Sequence, residues 1–217
     1  VFNVGALGIE NINRIKLLSK LEFEKSIKFN LAELNFLVTF HPVTLEKETA
    51  EDQLGNLLLA LEFFPEAKII FTKANADNGG RMINDILESY VKKNPLITIL
   101  LDSLGQTRYL SAIKHCQVVI GNSSSGLIEV PSFKKPTVNI GDRQKGRVQA
   151  ESVISCGTDT VKIREAIHLS LSTSFRSNLD NVRNPYGSGN ASEKIVDIII
   201  QKPIKNILKK KFYDLYL

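Results

Sequence analysis

The sequence predicts an α/β fold, a Rossmann-like doubly wound parallel sheet with helices on both faces. From residue 35 onward, short strand-like segments alternate with helix-like segments, which is the order that parallel βα units produce. The strand-like segments are rich in Val, Ile and Leu without polar alternation, as expected when helices cover both faces. Polar loops containing glycine follow several of these segments, and such loops are where open α/β sheets bind ligands.

The predicted elements follow one another in a regular order. Predicted strands cover residues 35–40, 68–72, 97–101, 117–121 and 137–140, and residues 1–6 form a further strand-like run. Predicted helices cover residues 54–63, 80–92, 107–115, 124–130, 160–171 and 191–200. A capping box at Ser19 and Glu22 begins an earlier helix, and the tail at 204–217 reads as an amphipathic helix. Pro131 should keep the helix at 124–130 short or kinked.

The composition is that of an ordinary soluble globular domain. Of the 217 residues, 43% are hydrophobic and 24% are charged, which permits a real core. The net charge of +5 is scattered and Trp is absent, so we expect no nucleic-acid partner. No apolar run approaches the roughly 20 residues that span a bilayer, so we expect no membrane partner. Because the chain begins at Val1 without Met, we expect it to be a fragment.

The cysteine and acidic residues do not suggest a metal centre. Cys116 and Cys156 are too few and too far apart in sequence for a disulfide scaffold or a zinc site. Each is expected to be a small buried residue in a cytoplasmic protein. The acidic residues at 46, 48, 51 and 52 look like a helix start, where negative charge is favourable. We therefore expect neither a metal nor a cofactor.

Residues 118–129, Val-Val-Ile-Gly-Asn-Ser-Ser-Ser-Gly-Leu-Ile-Glu, read as a buried strand that runs into a small polar turn and a short helix. Such a turn presents unpaired backbone N–H groups to an anion, and its serines add hydroxyl donors. Glu129, about one helical turn further on, is placed to accept hydrogen bonds from a ribose. The stretch suggests a nucleotide or nucleotide-sugar site. The alternative is a well-capped helix whose turn has no other role.

A second loop, residues 141–147, Gly-Asp-Arg-Gln-Lys-Gly-Arg, follows the next predicted strand. It carries three cations between two glycines, and arginine side chains suit phosphate and carboxylate geometry. In a parallel sheet this loop and the serine turn both leave carboxyl ends of strands and face one crevice. The alternative is an ordinary solvated basic loop.

Other polar residues also follow predicted strands. His41 comes directly after the first of them, where an imidazole could donate to a phosphate or move a proton near neutral pH. The alternative is a structural histidine, which is the role we expect for His115 and His168. Side chains at 73, 75 and 77, and the segment 101–105, follow the next two strands and could line the same crevice.

Five motifs together resemble one enzyme family. They are His-Pro-Val-Thr at 41–44, Gly-Asn-Ser-Ser at 121–124, Glu-Val at 129–130, the basic loop at 141–147 and Asn-Pro-Tyr-Gly at 184–187. In this order they resemble the C-terminal half of the hydrolysing UDP-N-acetylglucosamine 2-epimerases, which start sialic-acid synthesis. The non-hydrolysing branch usually has His-Arg-Arg-Glu-Asn after the first strand, Asp-Ser-Gly-Gly at the serine turn and Thr-Glu-Arg in the basic loop, so the hydrolysing branch is the better match. Ser188 stands where the family usually has Asp.

The resemblance covers essentially the whole chain and implies the C-terminal domain of a GT-B-like two-domain enzyme. Residues 1–32 would be the interdomain connection with its leading helices, 33–189 the UDP-binding domain, and 190–217 C-terminal helices that pack toward a missing N-terminal domain. The implied reaction converts UDP-N-acetylglucosamine to UDP and N-acetylmannosamine through a glycal. The partners implied are a UDP-sugar, the N-terminal domain and, at full length, further copies of the chain.

The resemblance also assigns roles to individual residues. His41 would be catalytic, and the UDP-binding residues would be Ser103, Leu104, Asn122, Ser123, Ser124, Ser125, Gly126, Glu129, Arg143 and Arg147. The carboxylates that handle the C2 proton in this family lie in the other domain, so the fragment alone is expected to lack epimerase activity. Two alternatives remain open, half of a nucleotide-sugar glycosyltransferase and a non-catalytic nucleotide-binding module. The sugar could also be a 2,4-diacetamido relative.

Overall fold

The computed structural model of the protein describes residues 1–43, 49–75 and 79–202. Thr44, Glu46, Glu48, Asp77 and the predicted helix at 204–217 lie outside them. The strands are β1 Asn35–Thr39, β2 Lys68–Thr72, β3 Thr98–Leu101, β4 Val118–Gly121, β5 Thr137–Ile140 and β6 Val153–Cys156. The helices are α1 Leu7–Arg14, α2 Lys20–Ile27, α3 Ala50–Leu61, α4 Gly80–Lys93, α5 Gly105–His115, α6 Ser125–Ile128, α7 Thr160–Leu171, α8 Thr173–Arg176 and α9 Ala191–Gln201.

The strands form one parallel sheet in the order β3-β2-β1-β4-β5-β6. The chain builds outward from β1 to β3, then crosses back to place β4 beside β1, where Thr39 is the partner of Gly121. This is the strand order of the doubly wound Rossmann fold, in which the reversal between the two central strands opens a crevice at their carboxyl ends. The predicted fold class is confirmed.

Two apolar cores cover the two faces of the sheet. Phe36 and Val38 of β1 face one core, which includes side chains from α3, α4 and α7. Leu37, between them, faces the other core together with side chains from α2 and α5. Successive residues of a strand point to opposite faces, so burial on both sides explains why β1 is apolar without alternation. The predicted capping box at Ser19 and Glu22 is present at the start of α2.

Three elements differ from the sequence prediction. Residues 1–6 are not a strand, and the helix that follows them, α1, was not predicted. The edge strand β6 was also missed, because only four half-exposed residues carry it. The helix after the serine turn is as short as Pro131 requires, since α6 ends at Ile128 and a 3₁₀ helix, Val130–Phe133, continues the chain.

Candidate functional site

A cleft of about 350 Å³ opens where β1 and β4 part, at the carboxyl edge of the sheet. Five of the predicted site residues line it, namely His41, Ser103, Leu104, Ser123 and Ser125. Lys73 and Asn75, from the end of β2, line it as well. The structure therefore brings loops from both halves of the sheet to one crevice, as the parallel topology predicts.

The serine turn connects β4 to α6 and contains three consecutive backbone N–H groups that have no acceptor among the described residues. The N–H of Asn122 donates to Thr39 O (3.2 Å) and that of Gly126 donates to Ser123 O (3.2 Å). Between them, the N–H groups of residues 123–125 have no hydrogen-bond partner within the described residues. Partly buried donors without partners are costly, and a bound anion would satisfy all three.

Gly126 serves packing at the back of this turn. A β-carbon at Gly126 would lie 2.7 Å from Thr137 Cγ2 of β5, and the Thr137 hydroxyl donates to the Gly126 carbonyl (2.8 Å). These two contacts fix the height of the turn above the neighbouring strand. A contact from Gly126 to a nucleotide stays a prediction.

Asn122 joins the two halves of the sheet at the bottom of the cleft. It is 1% exposed, and its side chain makes two hydrogen bonds to the backbone of His41. The His41 N–H donates to Asn122 Oδ1 (2.8 Å), and Asn122 Nδ2 donates to the His41 carbonyl (2.8 Å). Beyond the end of β1, the Asn122 amide thus pairs with the His41 backbone as a neighbouring strand would. This pairing fixes the backbone position from which the His41 side chain extends.

The loop after β5 is tied to the same residue. Arg143 Nη1 and Gln144 Nε2 both donate to the Asn122 carbonyl, at 3.0 and 2.8 Å. Arg143 is exposed, whereas Gln144 is 2% exposed. Arg147 is exposed further along the loop, and Lys145 pairs with Asp142 (2.9 Å). Arg143 therefore binds the start of the serine turn, but neither Arg143 nor Arg147 is among the residues that line the cleft.

Glu129 lies beneath the serine turn in a partly buried position. Its Oε2 atom and the Ser125 hydroxyl are buried without a hydrogen-bond partner in the described part of the chain. Burial raises the pKa of Glu129 above its ordinary value of 4.5, and the nearby Ser125 hydroxyl opposes that rise. Burial also raises the pKa of Tyr109, which borders the cleft beside Ser125, to about 12. Tyr109 lines the cleft, whereas Glu129 is not among its lining residues.

The raised pKa of Glu129 predicts that Glu129→Gln stabilises the free chain. A folded-state pKa above 4.5 means that the protonated group favours folding, and this contribution is lost as pH rises through the folded-state pKa. At pH 7 the buried charge therefore opposes folding. We expect Glu129→Gln to raise the melting temperature at pH 7 and the gain to shrink toward pH 4.5. The exposed Glu165→Gln serves as the control, and an equal gain there would contradict the argument.

The far end of the cleft is held by an ion pair between β2 and β3. Lys73 Nζ contacts Asp102 Oδ1 (2.6 Å) and Glu88 Oε1 (2.9 Å), and these carboxylates raise the pKa of Lys73. The Ser103 hydroxyl accepts from the Gly105 N–H (3.1 Å), and Arg108 Nε donates to the Leu104 carbonyl (2.8 Å). The segment before α5 is thus held by hydrogen bonds between these two side chains and backbone groups.

The family of the chain follows from its match to a family model. The model described as UDP-N-acetylglucosamine 2-epimerase matches residues 1–200. The chain belongs to the UDP-N-acetylglucosamine 2-epimerase family. The resemblance drawn from the five motifs is therefore confirmed.

Two curated relatives of this family member match it along nearly its full length. GDP/UDP-N,N′-diacetylbacillosamine 2-epimerase (hydrolyzing) of Campylobacter jejuni is 39% identical over 216 residues, which are 99% of this chain and 56% of that protein. Polysialic acid biosynthesis protein P7 of Escherichia coli is 40% identical over 223 residues, 99% of this chain and 55% of that protein. The chain spans about half the length of the curated relatives it matches.

A solved structure of the same family has a similar fold. The UDP-GlcNAc 2-epimerase of Methanocaldococcus jannaschii, in complex with UDP-GlcNAc and UDP, superposes with a TM-score of 0.67 at 19% identity. The match covers 93% of this chain and 55% of that chain. At this identity the likeness establishes the GT-B-like α/β architecture and nothing about ligands.

Sequence reasoning missed two residues of this epimerase-family site. Nothing in the sequence assigns a role to Gln144, and only its buried contact with Asn122 reveals one. Tyr109 sits one turn into α5, and its place on a helix that begins at a strand end could have indicated it. His115 and His168 are structural as predicted, since His115 Nε2 bonds Leu18 O (2.9 Å) and His168 packs on Phe64.

No helix in the described residues has both the length and the apolar character needed to cross a membrane. Those same residues contain no cluster of three or more His, Cys, Asp or Glu side chains that could hold a metal ion. Both cysteines are free thiols. Cys116 is buried as expected, whereas Cys156 is half-exposed on the edge strand.

Proposed function

We propose that this chain is the UDP-binding half of a hydrolysing UDP-N-acetylglucosamine 2-epimerase. The full enzyme would convert UDP-N-acetylglucosamine to UDP and N-acetylmannosamine by removing the C2 proton, expelling UDP to leave a glycal, and adding water. The observation that carries the proposal is the serine turn, which has three N–H groups without an acceptor in the described residues and which lines the crevice through Ser123 and Ser125. Membership of the epimerase family supports the nucleotide-sugar chemistry.

The diphosphate would sit on the serine turn. Residues 123–125 offer backbone N–H groups together with hydroxyl donors, and Arg143 donates to the Asn122 carbonyl at the start of the same turn. Negative charge builds on the β-phosphate as UDP leaves. Donors held rigidly at that place stabilise the transition state more than the bound substrate, so they should affect turnover as well as binding.

His41 would act beside the diphosphate. It lines the cleft, and its backbone is held by the Asn122 amide. An imidazole changes charge near neutral pH, so it can donate to a phosphate oxygen or shuttle a proton during departure of UDP. Asn122 would thereby act through His41 and through the loop of Arg143.

The other half of the enzyme would supply the C2 base and the rest of the sugar pocket. That half would close over the cleft and exclude water until the glycal forms. Because one relative is named for a diacetylbacillosamine substrate and another for polysialic acid biosynthesis, the sugar is either N-acetylglucosamine or a 2,4-diacetamido relative. We further propose a cytoplasmic homo-oligomer.

A double substitution tests the phosphate site. Ser123→Ala with Ser124→Ala removes two hydroxyl donors, each worth about 1.5–3 kcal/mol against a charged acceptor. Calorimetry on the 217-residue chain should show that UDP affinity falls about tenfold or more. The melting temperature should be unchanged. The matched control is Ser89→Ala with Ser177→Ala, two exposed serines that donate to helix carbonyls elsewhere. Unchanged UDP affinity in the first variant would rule out the serine turn as the phosphate site.

The alternative function is half of a nucleotide-sugar glycosyltransferase. An epimerase releases UDP from the nucleotide sugar without an acceptor, whereas a transferase needs one. UDP release by the full-length enzyme, measured with and without an acceptor sugar, therefore separates the two activities. Release that depends strictly on the acceptor would replace the epimerase assignment.

A further inference from the structure

Helix α1 is fastened to the far end of the chain by contacts at several points. The Ala6 N–H donates to Tyr186 O (2.8 Å), and Asn13 Nδ2 donates to Ser188 O (2.9 Å). Glu10, only 5% exposed, accepts from the Ser192 N–H (2.9 Å) at the start of α9. These contacts hold α1 in a fixed position against residues 186–192.

The fixed position of α1 places Gly8 against the Glu129 carboxylate. A β-carbon at Gly8 would lie 2.9 Å from Glu129 Oε1 and 3.8 Å from its Cδ. Apart from α1 itself, no other atom of the described chain would come within 4 Å. The backbone of Gly8 does not have a positive φ, so an alanine there is conformationally allowed. The absence of a side chain at Gly8 therefore leaves space for one neighbouring group, the Glu129 carboxylate, which is assigned to the ribose.

We propose that Gly8 is a positioning residue of the nucleotide site. Its lack of a side chain leaves the space that the Glu129 carboxylate occupies, and α1 thereby sets where the carboxylate meets the ribose hydroxyls. The inference rests on the proposed function, in which Glu129 accepts hydrogen bonds from the ribose. It extends the site to the first fourteen residues, which contribute no side chain to the cleft itself.

Gly8→Ala should lower nucleotide affinity without destabilising the fold. A new methyl group at Gly8 meets only the end of a flexible side chain, which can rotate away. Alanine also favours the helix more than glycine does. The fold should therefore tolerate the substitution. The displaced carboxylate, however, no longer has the place from which it can accept from the ribose, so nucleotide affinity should fall while stability does not.

The test compares Gly8→Ala with Gly55→Ala, a glycine within α3 whose added β-carbon would meet nothing within 4 Å. Calorimetry on the 217-residue chain would use UDP, its 2′- and 3′-deoxy forms, and inorganic diphosphate. For Gly8→Ala we expect an unchanged or higher melting temperature and a roughly tenfold loss of UDP affinity, as when one hydrogen bond to a charged acceptor is lost. Affinity for diphosphate should be unchanged, and the preference for UDP over the deoxy forms should disappear. Gly55→Ala should bind all four ligands like the parent chain.

Two further variants separate the possible failures. If Gly8 acts through Glu129, adding Gly8→Ala to Glu129→Gln should cost no further affinity, since coupled sites are non-additive. A normal UDP affinity in Gly8→Ala beside a weakened one in Glu129→Gln would overturn the role of Gly8 and leave the proposed function intact. Normal affinity in Glu129→Gln would instead overturn the ribose assignment. Equal losses for UDP and diphosphate, or a lower melting temperature in Gly8→Ala, would show a general structural effect and overturn the inference.

Discussion

Gly121→Ala is expected to cost the chain about 2–6 kcal/mol of stability, which is a large fraction of the total stability of a marginally stable domain. Gly121 has a φ of +133°, and an added β-carbon would lie 1.9 Å from the Thr39 carbonyl oxygen. Neither backbone can retreat, since Thr39 and Gly121 are partners at the centre of the sheet. Backbone strain of this kind costs about 1–3 kcal/mol and forced overpacking about 1–3 kcal/mol more.

Urea denaturation measures the loss, and Gly146→Ala separates its two causes. Gly146 also has a positive φ, +82°, but an added β-carbon there would meet nothing within 4 Å. Gly146→Ala should therefore show the cost of strain without the cost of the clash. Equal losses in the two variants would mean that the close approach of β1 and β4 contributes nothing. A small loss in both would contradict the whole argument.

Asn122→Ala is expected to damage both stability and turnover. It leaves the His41 N–H and carbonyl without the partners that they have at 2.8 Å each. An unsatisfied buried group costs about 1–3 kcal/mol, and because these two are only partly buried we expect about 2–4 kcal/mol in total. If His41 acts on the departing UDP as proposed, kcat of the full-length enzyme should fall more than KM rises.

Asn122→Asp provides the matched comparison. The carboxylate keeps an acceptor for the His41 N–H but loses the donor to the His41 carbonyl, so both losses should be intermediate. Its kcat should recover part of the activity that alanine removes. If Asn122→Asp and Asn122→Ala are equally impaired, the hydrogen bond from the His41 N–H has no importance. Full activity in Asn122→Ala would exclude any role of this residue in placing His41.

The fold could be predicted because its strands are buried on both faces and so are apolar throughout. Where that signal weakens, prediction failed. The residues of β6 are mostly half-exposed. Helix α1 follows Ala6, an N-cap residue that makes no side-chain hydrogen bond, and contains Gly8, a poor helix former. Such segments are specified by tertiary contacts, for example the bond from Ala6 to Tyr186, which no local pattern reveals.

The candidate site was only partly predictable for the same reason. Strand-end positions identified the serine turn and His41 because parallel topology gathers strand ends at one edge. The pairing of Asn122 with His41 joins residues 81 positions apart, and Gln144 contributes through a single buried contact. The raised pKa of Glu129 arises from burial by neighbours that include α1. These properties depend on which side chains are in contact in the folded chain. The periodicity of a single sequence does not show which side chains those are.

The contacts around Asn122 also have a consequence for how the molecule assembles. The sheet consists of two units, β1–β3 and β4–β6, and each can form from near neighbours in sequence. The seam between them depends on pairings such as Phe36 with Val118, whose loops close over more than 80 residues and carry the largest entropic cost. Asn122 connects the two units at the carboxyl edge of the sheet, where the proposed nucleotide would enter. A nucleotide bound at the proposed site would contact both units at once and would therefore stabilise the pairing of β1 with β4.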